Sequence, residues 1–235
     1  MKFKALSAPS LKELFVTELE NMILSGELEI GSQLPPEREL SVSMNVSRAV
    51  INSGITEMAN KGFLVIQPRQ GTFVADYRRT GTVETLISIM KYNGGTLRRE
   101  EIRSILEMRL IMDKLAVEKL IPIIRDTDLF ELKKWVDKLT NAKDNKTAAE
   151  CAFSFMHEMY VQCGNTLFPL ICYSFREPVL SLWERFCRLH GKEILTNDIH
   201  GLYLCLEKRD IEGAISQRER VLQDTMTGEN QIYTG

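Results

Sequence analysis

The sequence has little excess of charge of either sign. Its 30 lysines and arginines stand against 32 aspartates and glutamates, so bulk charge does not mark it for nucleic acid or for an anionic membrane surface. No apolar run approaches the ~18 residues that a membrane helix needs. The opening MKFKALSAPS lacks the apolar core of a secretory signal, so the chain reads as cytoplasmic, with no membrane partner. Cysteine is scarce: Cys151, Cys163, Cys172, Cys187 and Cys205 all fall in the second half, without a CxxC pair or a Cys/His cluster. That argues against a disulfide framework and a zinc site, and the five are expected to be small buried apolar side chains. There is no Ser/His/Asp arrangement, phosphate loop, paired carboxylates, repeat or low-complexity segment, so neither an enzyme nor a cofactor is expected. What is present is a 235-residue chain, 44% hydrophobic and 26% charged, the composition of a folded, water-soluble protein of one large or two modest domains.

Leu11, Leu14, Phe15, Leu19, Met22 and Ile23 recur at spacings of three and four, the stripe of an amphipathic helix that Gly26 can stop. Pro36, with Glu37 and Glu39 behind it, opens a short second helix to about Met44. After a break at Asn45, Ser47 is a good N-cap for a third helix that runs to about Asn60 and is closed by Gly62. FLVIQ and TFVA around PRQG then predict a hairpin. Three helices and a two-stranded hairpin are the layout of a winged helix-turn-helix. From Val83 onward the apolar spacing is helical throughout. The fold class is therefore mainly α: an N-terminal winged helix-turn-helix (1–76), a linker (77–82), a C-terminal all-α bundle of six to seven helices (83–228) and a polar tail (229–235) expected to fray.

The string LPPERELSVSMNVSRAV, followed by EMANKGFLVIQPRQGTFV, resembles the DNA-binding domain of the GntR family of bacterial transcription regulators over about Leu11 to Val74. The resemblance implies that Arg38 and Arg48 contact DNA. It also implies that Arg69, Gln70 and Gly71 form a wing tip at the minor groove, whose narrow form attracts arginine. The residues themselves agree. On the third helix Arg48, Ala49, Asn52, Ser53 and Thr56 face outward, and Arg, Asn and Ala can read guanine, adenine and a thymine methyl. Ser47 and the free N–H groups of that helix end suit a phosphate. Residues 1–79 hold nine Lys+Arg (2, 4, 12, 38, 48, 61, 69, 78, 79) and nine Asp+Glu (13, 18, 20, 27, 29, 37, 39, 57, 76), so non-specific affinity should be modest and salt-dependent. Many relatives carry an arginine where Asn52 stands, so the usual family operator is not implied here. Gly54 within the third helix costs about 1 kcal/mol against alanine and means either close packing or a less rigid reading helix.

A helical second domain resembles the FadR branch of that family, in a metal-free form. The positions at which many branch members hold a metal ion fall on Ala152, Met156, Ile199 and about Val221, none of which suits a hard divalent ion. The histidines, His157, His190 and His200, are offset from those positions. The resemblance implies a homodimer on a double-stranded operator and a small-molecule effector, acyl-coenzyme A or else a small organic or sugar acid. Candidate ligand-binding residues are Arg109, Met156, Tyr160, Trp183 and Arg185. Each arginine either holds a carboxylate or phosphate or pairs with a nearby glutamate. The stripe Phe153, Met156, Met159, Tyr160, Phe168 and Phe175 is either plain core or an adaptable wall.

Overall fold

The computed structural model describes residues 8–92 and 99–233, which divide into two compact units at Thr96/Leu97. The first unit begins with α1 (Leu11–Ser25), whose start is fixed by a capping box: the Glu13 amide donates to Ser10 Oγ and the Ser10 amide to the Glu13 carboxylate. Gly26, at φ 86°, closes it in the left-handed conformation. The short α2 (Glu37–Ser43) starts behind Pro36 and is anchored by the buried Leu40. Asn45, at φ 52°, turns the chain sharply into α3 (Arg48–Asn60). Antiparallel strands β1 (Leu64–Gln67) and β2 (Gly71–Val74) pair Leu64 with Val74 through to Gln67 with Gly71. The loop after α1 extends this small sheet, bridging Gln33 to Phe73. Phe15, Leu19, Ile51, Met58 and Phe63 form the centre of the core.

Gly54 sits where α1 and α3 cross. A Cβ there would lie 2.2 Å from Cδ1 of Phe15, so its role is close packing.

Two further helices follow the hairpin, α4 (Tyr77–Thr80) and α5 (Val83–Tyr92). The spacing of α5 assigns it to the helical domain, but in the structure it packs on α1 within the first unit. Its buried polar groups explain the choice: Thr85 donates to the carbonyl of Lys61, and Ser88 donates to Glu20 Oε1 over 2.8 Å. Lys61 pairs with the same Glu20 oxygen at 2.9 Å and with Glu57 at 3.3 Å. Burial alone would lower the Lys61 pKa, but the two carboxylates outweigh it and hold it above the usual lysine value.

The second unit consists of α6 (Arg99–Leu120), α7 (Asp126–Thr140), α8 (Asn145–Gln162), α9 (Phe168–Ser174), α10 (Arg176–His190), α11 (Lys192–Glu207) and α12 (Ile211–Thr227). Among the described residues it contains no strand, as the helical spacing predicts. Helix α8 is buried over much of its surface and packs against α6, α7, α9, α10 and α11, while α12 lies on α6 and α11. The tail is less polar in its packing than in its composition: Ile232 is buried, and Arg99 stacks on the Tyr233 ring. Cys151, Cys163 and Cys187 are buried as expected, while Cys172 and Cys205 are half-buried.

Candidate nucleic-acid interface and a buried charged cluster

The N-terminus of α3 is built for presentation. Ser47 accepts from the Val50 amide at 3.3 Å, which leaves the amides ahead of it as donors that no helix can satisfy internally. Ile51, Ile55 and Met58 are buried, with Val46 and Val50 half-buried, so Ser47, Arg48, Ala49, Asn52, Ser53 and Thr56 are exposed. The turn before α3 is locked by Ser41 Oγ donating to the Val46 carbonyl at 2.6 Å. That turn fixes α2 relative to α3, and Arg38 is exposed on α2. Asn52 is not wholly free: with its amide nitrogen turned toward α2, it donates to Glu37 Oε2 at 2.5 Å.

At the hairpin tip Pro68, Arg69, Gln70 and Gly71 are exposed. Arg69 takes φ 66°, a left-handed conformation that costs a non-glycine residue on the order of 1 kcal/mol. The tip is tied to the rest of the sheet by Gln33, whose amide donates to the Gln70 carbonyl at 2.7 Å. Gly71 lies so close to Gln33 that a Cβ would stand 2.5 Å from its amide nitrogen.

Asn52→Arg exchanges an amide engaged by Glu37 for a longer cation. On the base-reading role that the family resemblance implies for this helix, it is expected to change the DNA sequence selected. An unchanged selected sequence would show that residue 52 reads no base.

In the second unit, the site is organised around Asp113 on α6, whose side chain is 0% exposed. The Tyr160 hydroxyl donates to Asp113 Oδ1. Arg109 Nε lies 3.5 Å from Oδ2, and Arg218 Nη1 on α12 lies 3.9 Å from the same atom. Burial, reinforced by the Asp113 charge, holds the Tyr160 pKa well above the usual phenol value. Arg109 also lies over the Trp183 ring, 4.7 Å from its centroid.

Two cavities share Ile105, Arg109, Val179 and Trp183 as walls. One, of about 40 Å³, adds Phe186, Asp198, Ile199, Arg218, Val221 and Ile232 among others. The second, of about 50 Å³, adds Met156, Tyr160, Phe153 and Cys172. Each has room for only a few water-sized groups. Burial raises the Asp198 pKa against the pull of Arg218. The Cys172 thiol, pushed up to about 12 chiefly by burial, stays neutral at physiological pH.

Of the five ligand-site residues expected from the sequence, Arg109 and Trp183 line both cavities, and Met156 and Tyr160 line the second. Arg185 lines neither, because two residues along α10 turn it about 200° from Trp183. Asp113, Asp198 and Arg218 are additions. Their sequence signal is a charge at a core position: on α12, Arg218 continues the four-residue spacing of the buried Ala214, Leu222 and Met226. Ala152, Met156, Ile199 and Val221 offer no oxygen or nitrogen donor, and among the described residues no group of three or more His, Cys, Asp or Glu could hold a metal ion. Those four positions therefore do not fit a bound metal ion. No helix among the described residues is long and apolar enough to cross a membrane.

Residues 12–74 match the family model of the bacterial regulatory proteins, gntR family. Curated relatives include the uncharacterized HTH-type transcriptional regulator YcbG of Bacillus subtilis, 26% identical over 145 residues, 62% of this chain and 59% of that protein. The HTH-type transcriptional repressor NanR of Klebsiella aerogenes is 29% identical over 115 residues, 47% of this chain and 44% of the repressor. The matches thus span about half the length of these relatives. Among solved structures, one titled "Lar controls the expression of the Listeria monocytogenes agr system and mediates virulence" superposes with a TM-score of 0.66 at 15% identity, covering 95% of this chain and 98% of that one. At that identity the likeness concerns the fold alone.

Proposed function

We propose, from the match of residues 12–74 to the family model of the bacterial regulatory proteins, gntR family, that the protein is a ligand-responsive transcription regulator of that family. It binds a pseudo-palindromic operator as a homodimer, because a single recognition helix reads only a few base pairs. The observation that carries this reading is the capped, exposed start of α3 within a gntR-type winged helix. Arg48, Ala49 and Asn52 would meet base edges, Arg38 and Ser47 phosphates, and Arg69, Gln70 and Gly71 the minor groove. YcbG and NanR, named as HTH-type transcriptional regulator and repressor, support the same class of role. The protein would act in the cytoplasm.

The helical domain would be the sensor. A ligand that prefers the non-binding dimer geometry by 10- to 100-fold supplies about 1.4 to 2.7 kcal/mol, enough to weaken operator occupancy without abolishing it. Of the effector classes that the family resemblance implies, the cavity sizes favour a small organic acid over an acyl-coenzyme A.

Selection of binding sites from random duplex DNA by the purified chain tests the reading. A short inverted repeat is expected, with affinity falling steeply as salt rises. No enrichment at low salt would contradict it.

A further inference from the structure

Resting on the reading of α3 as the recognition helix, we propose that Glu37 is a positioning residue for base choice. It holds the Asn52 amide so that the carbonyl oxygen alone is offered to DNA, and the pair thereby selects a base with an exocyclic amine, cytosine above adenine.

Glu37 is the first residue of α2, and Asn52 lies one turn into α3. Both are exposed. The helices are fixed against each other by the turn between them. Leu40 anchors α2 in the core, Asn45 reverses the chain at φ 52°, and the Val46 amide donates to the Ser41 carbonyl at 3.1 Å. A carboxylate accepts hydrogen bonds and donates none, so the Asn52 nitrogen, rather than its oxygen, must face Glu37. It donates to Oε2 at 2.5 Å and to Oε1 at 2.6 Å. A bond to a charged acceptor is stronger than the neutral bonds a base edge can offer that nitrogen. Exclusion of water as α3 enters a groove strengthens it further.

A free asparagine reads adenine through two bonds, giving one to N7 and accepting one from the N6 amine. Here the nitrogen is engaged. Adenine keeps the bond from N6, while its N7 acceptor meets a committed amide and the negative charge of Glu37. Cytosine presents the N4 amine as donor in the major groove and no acceptor beside it. Guanine and thymine present acceptors there, which an oxygen backed by a carboxylate repels. This orienting role also accounts for an acidic side chain on a surface that meets phosphates, where it otherwise costs affinity.

The test is selection from random duplex DNA by the full chain, by Glu37→Ala, Glu37→Gln and Asn52→Ala, and by the double variant Glu37→Ala/Asn52→Ala. The parent is expected to select cytosine at one symmetric pair of positions, a preference that Asn52→Ala removes. Inverting that base pair to guanine should weaken binding of the parent by about three- to tenfold. Glu37→Ala, which frees the amide, should move the preference at that position and at no other to adenine. Glu37→Gln can both accept from Asn52 and donate to it, so it should weaken the cytosine preference. The double variant should show none. Loss of a negative charge raises affinity for every sequence alike, so base identity, not affinity, is the readout. Should the alanine variant lose its circular-dichroism signal, the glutamine variant, of the same size, decides alone.

Guanine or thymine at the Asn52-dependent position would overturn the proposal, as would a selected sequence that Asn52→Ala leaves unchanged. A shift on Glu37→Ala that persists without Asn52 would show that Glu37 acts by itself, and would overturn it too. A repeat enriched identically by the parent and both Glu37 variants sinks the positioning role and keeps the regulator. No enriched repeat at low salt counts against both.

Discussion

Asp113→Leu is expected to lower the melting temperature of the protein by about 10 °C, the equivalent of about 3 to 5 kcal/mol. Leucine branches as aspartate does, with the same four side-chain heavy atoms and bulkier ends, so the change leaves no cavity and its cost is chiefly electrostatic. It strips the carboxylate from two guanidinium groups and a tyrosine hydroxyl in one step. Arg109 retains the Trp183 face and is 17% exposed, so part of its solvation survives. Arg218 has neither outlet. The double variant Asp113→Leu/Arg218→Met should recover most of the loss, because exchanging a whole buried ion cluster for apolar groups of similar volume is often close to neutral. Thermal denaturation followed by circular dichroism reads both effects. A single variant that melts within about 1 °C of the parent would mean that these charges are solvated rather than enclosed.

Gly54→Ala is the second large effect, and its sign opposes helix propensity. Alanine in a helix interior is worth about 1 kcal/mol over glycine, so on an exposed face this change would stabilise. Here the added Cβ would stand 2.2 and 2.5 Å from two ring carbons of Phe15, which is 2% exposed and packed against the core. The ring cannot swing aside, so α1 and α3 must separate. Overpacking of this kind costs about 1 to 3 kcal/mol. DNA affinity should fall with it, since α3 carries the proposed reading face. A rise in the melting temperature of the variant would show that the two helices cross less closely than this.

These two residues mark where sequence reasoning works and where it stops. Gly54 is conspicuous as a glycine in the middle of a helix, but spacing alone does not distinguish close packing from flexibility. Only the position of Phe15, far away in sequence, decides it. The winged helix is legible almost entirely because its signals are local: the cap at Ser47, Pro36 ahead of α2, the stop at Gly26, and the PRQG turn. The placement of α5 is not, because periodicity gives a helix its apolar face without naming the partner. The deciding bonds, Ser88 to Glu20 and Thr85 to Lys61, span 68 and 24 residues. Ile232 is lost for the same reason, as one apolar residue within a polar tail. In the helical domain, Arg109 and Tyr160 are identified by type. Arg218 escapes because an arginine on a polar helix reads as solvated, although its place in the Ala214–Met226 stripe marks it as inward. Cavity volume has no counterpart in sequence at all.

The docking of α3 on DNA is tested most directly by the affinity of the parent and of Arg48→Ala for the selected inverted repeat, measured at one fixed salt concentration. Arg48 is exposed at the first position of α3, so its removal should cost about 1 to 3 kcal/mol and relax the preference at one symmetric pair of base positions. Equal affinity and unchanged preference would contradict the proposed recognition helix.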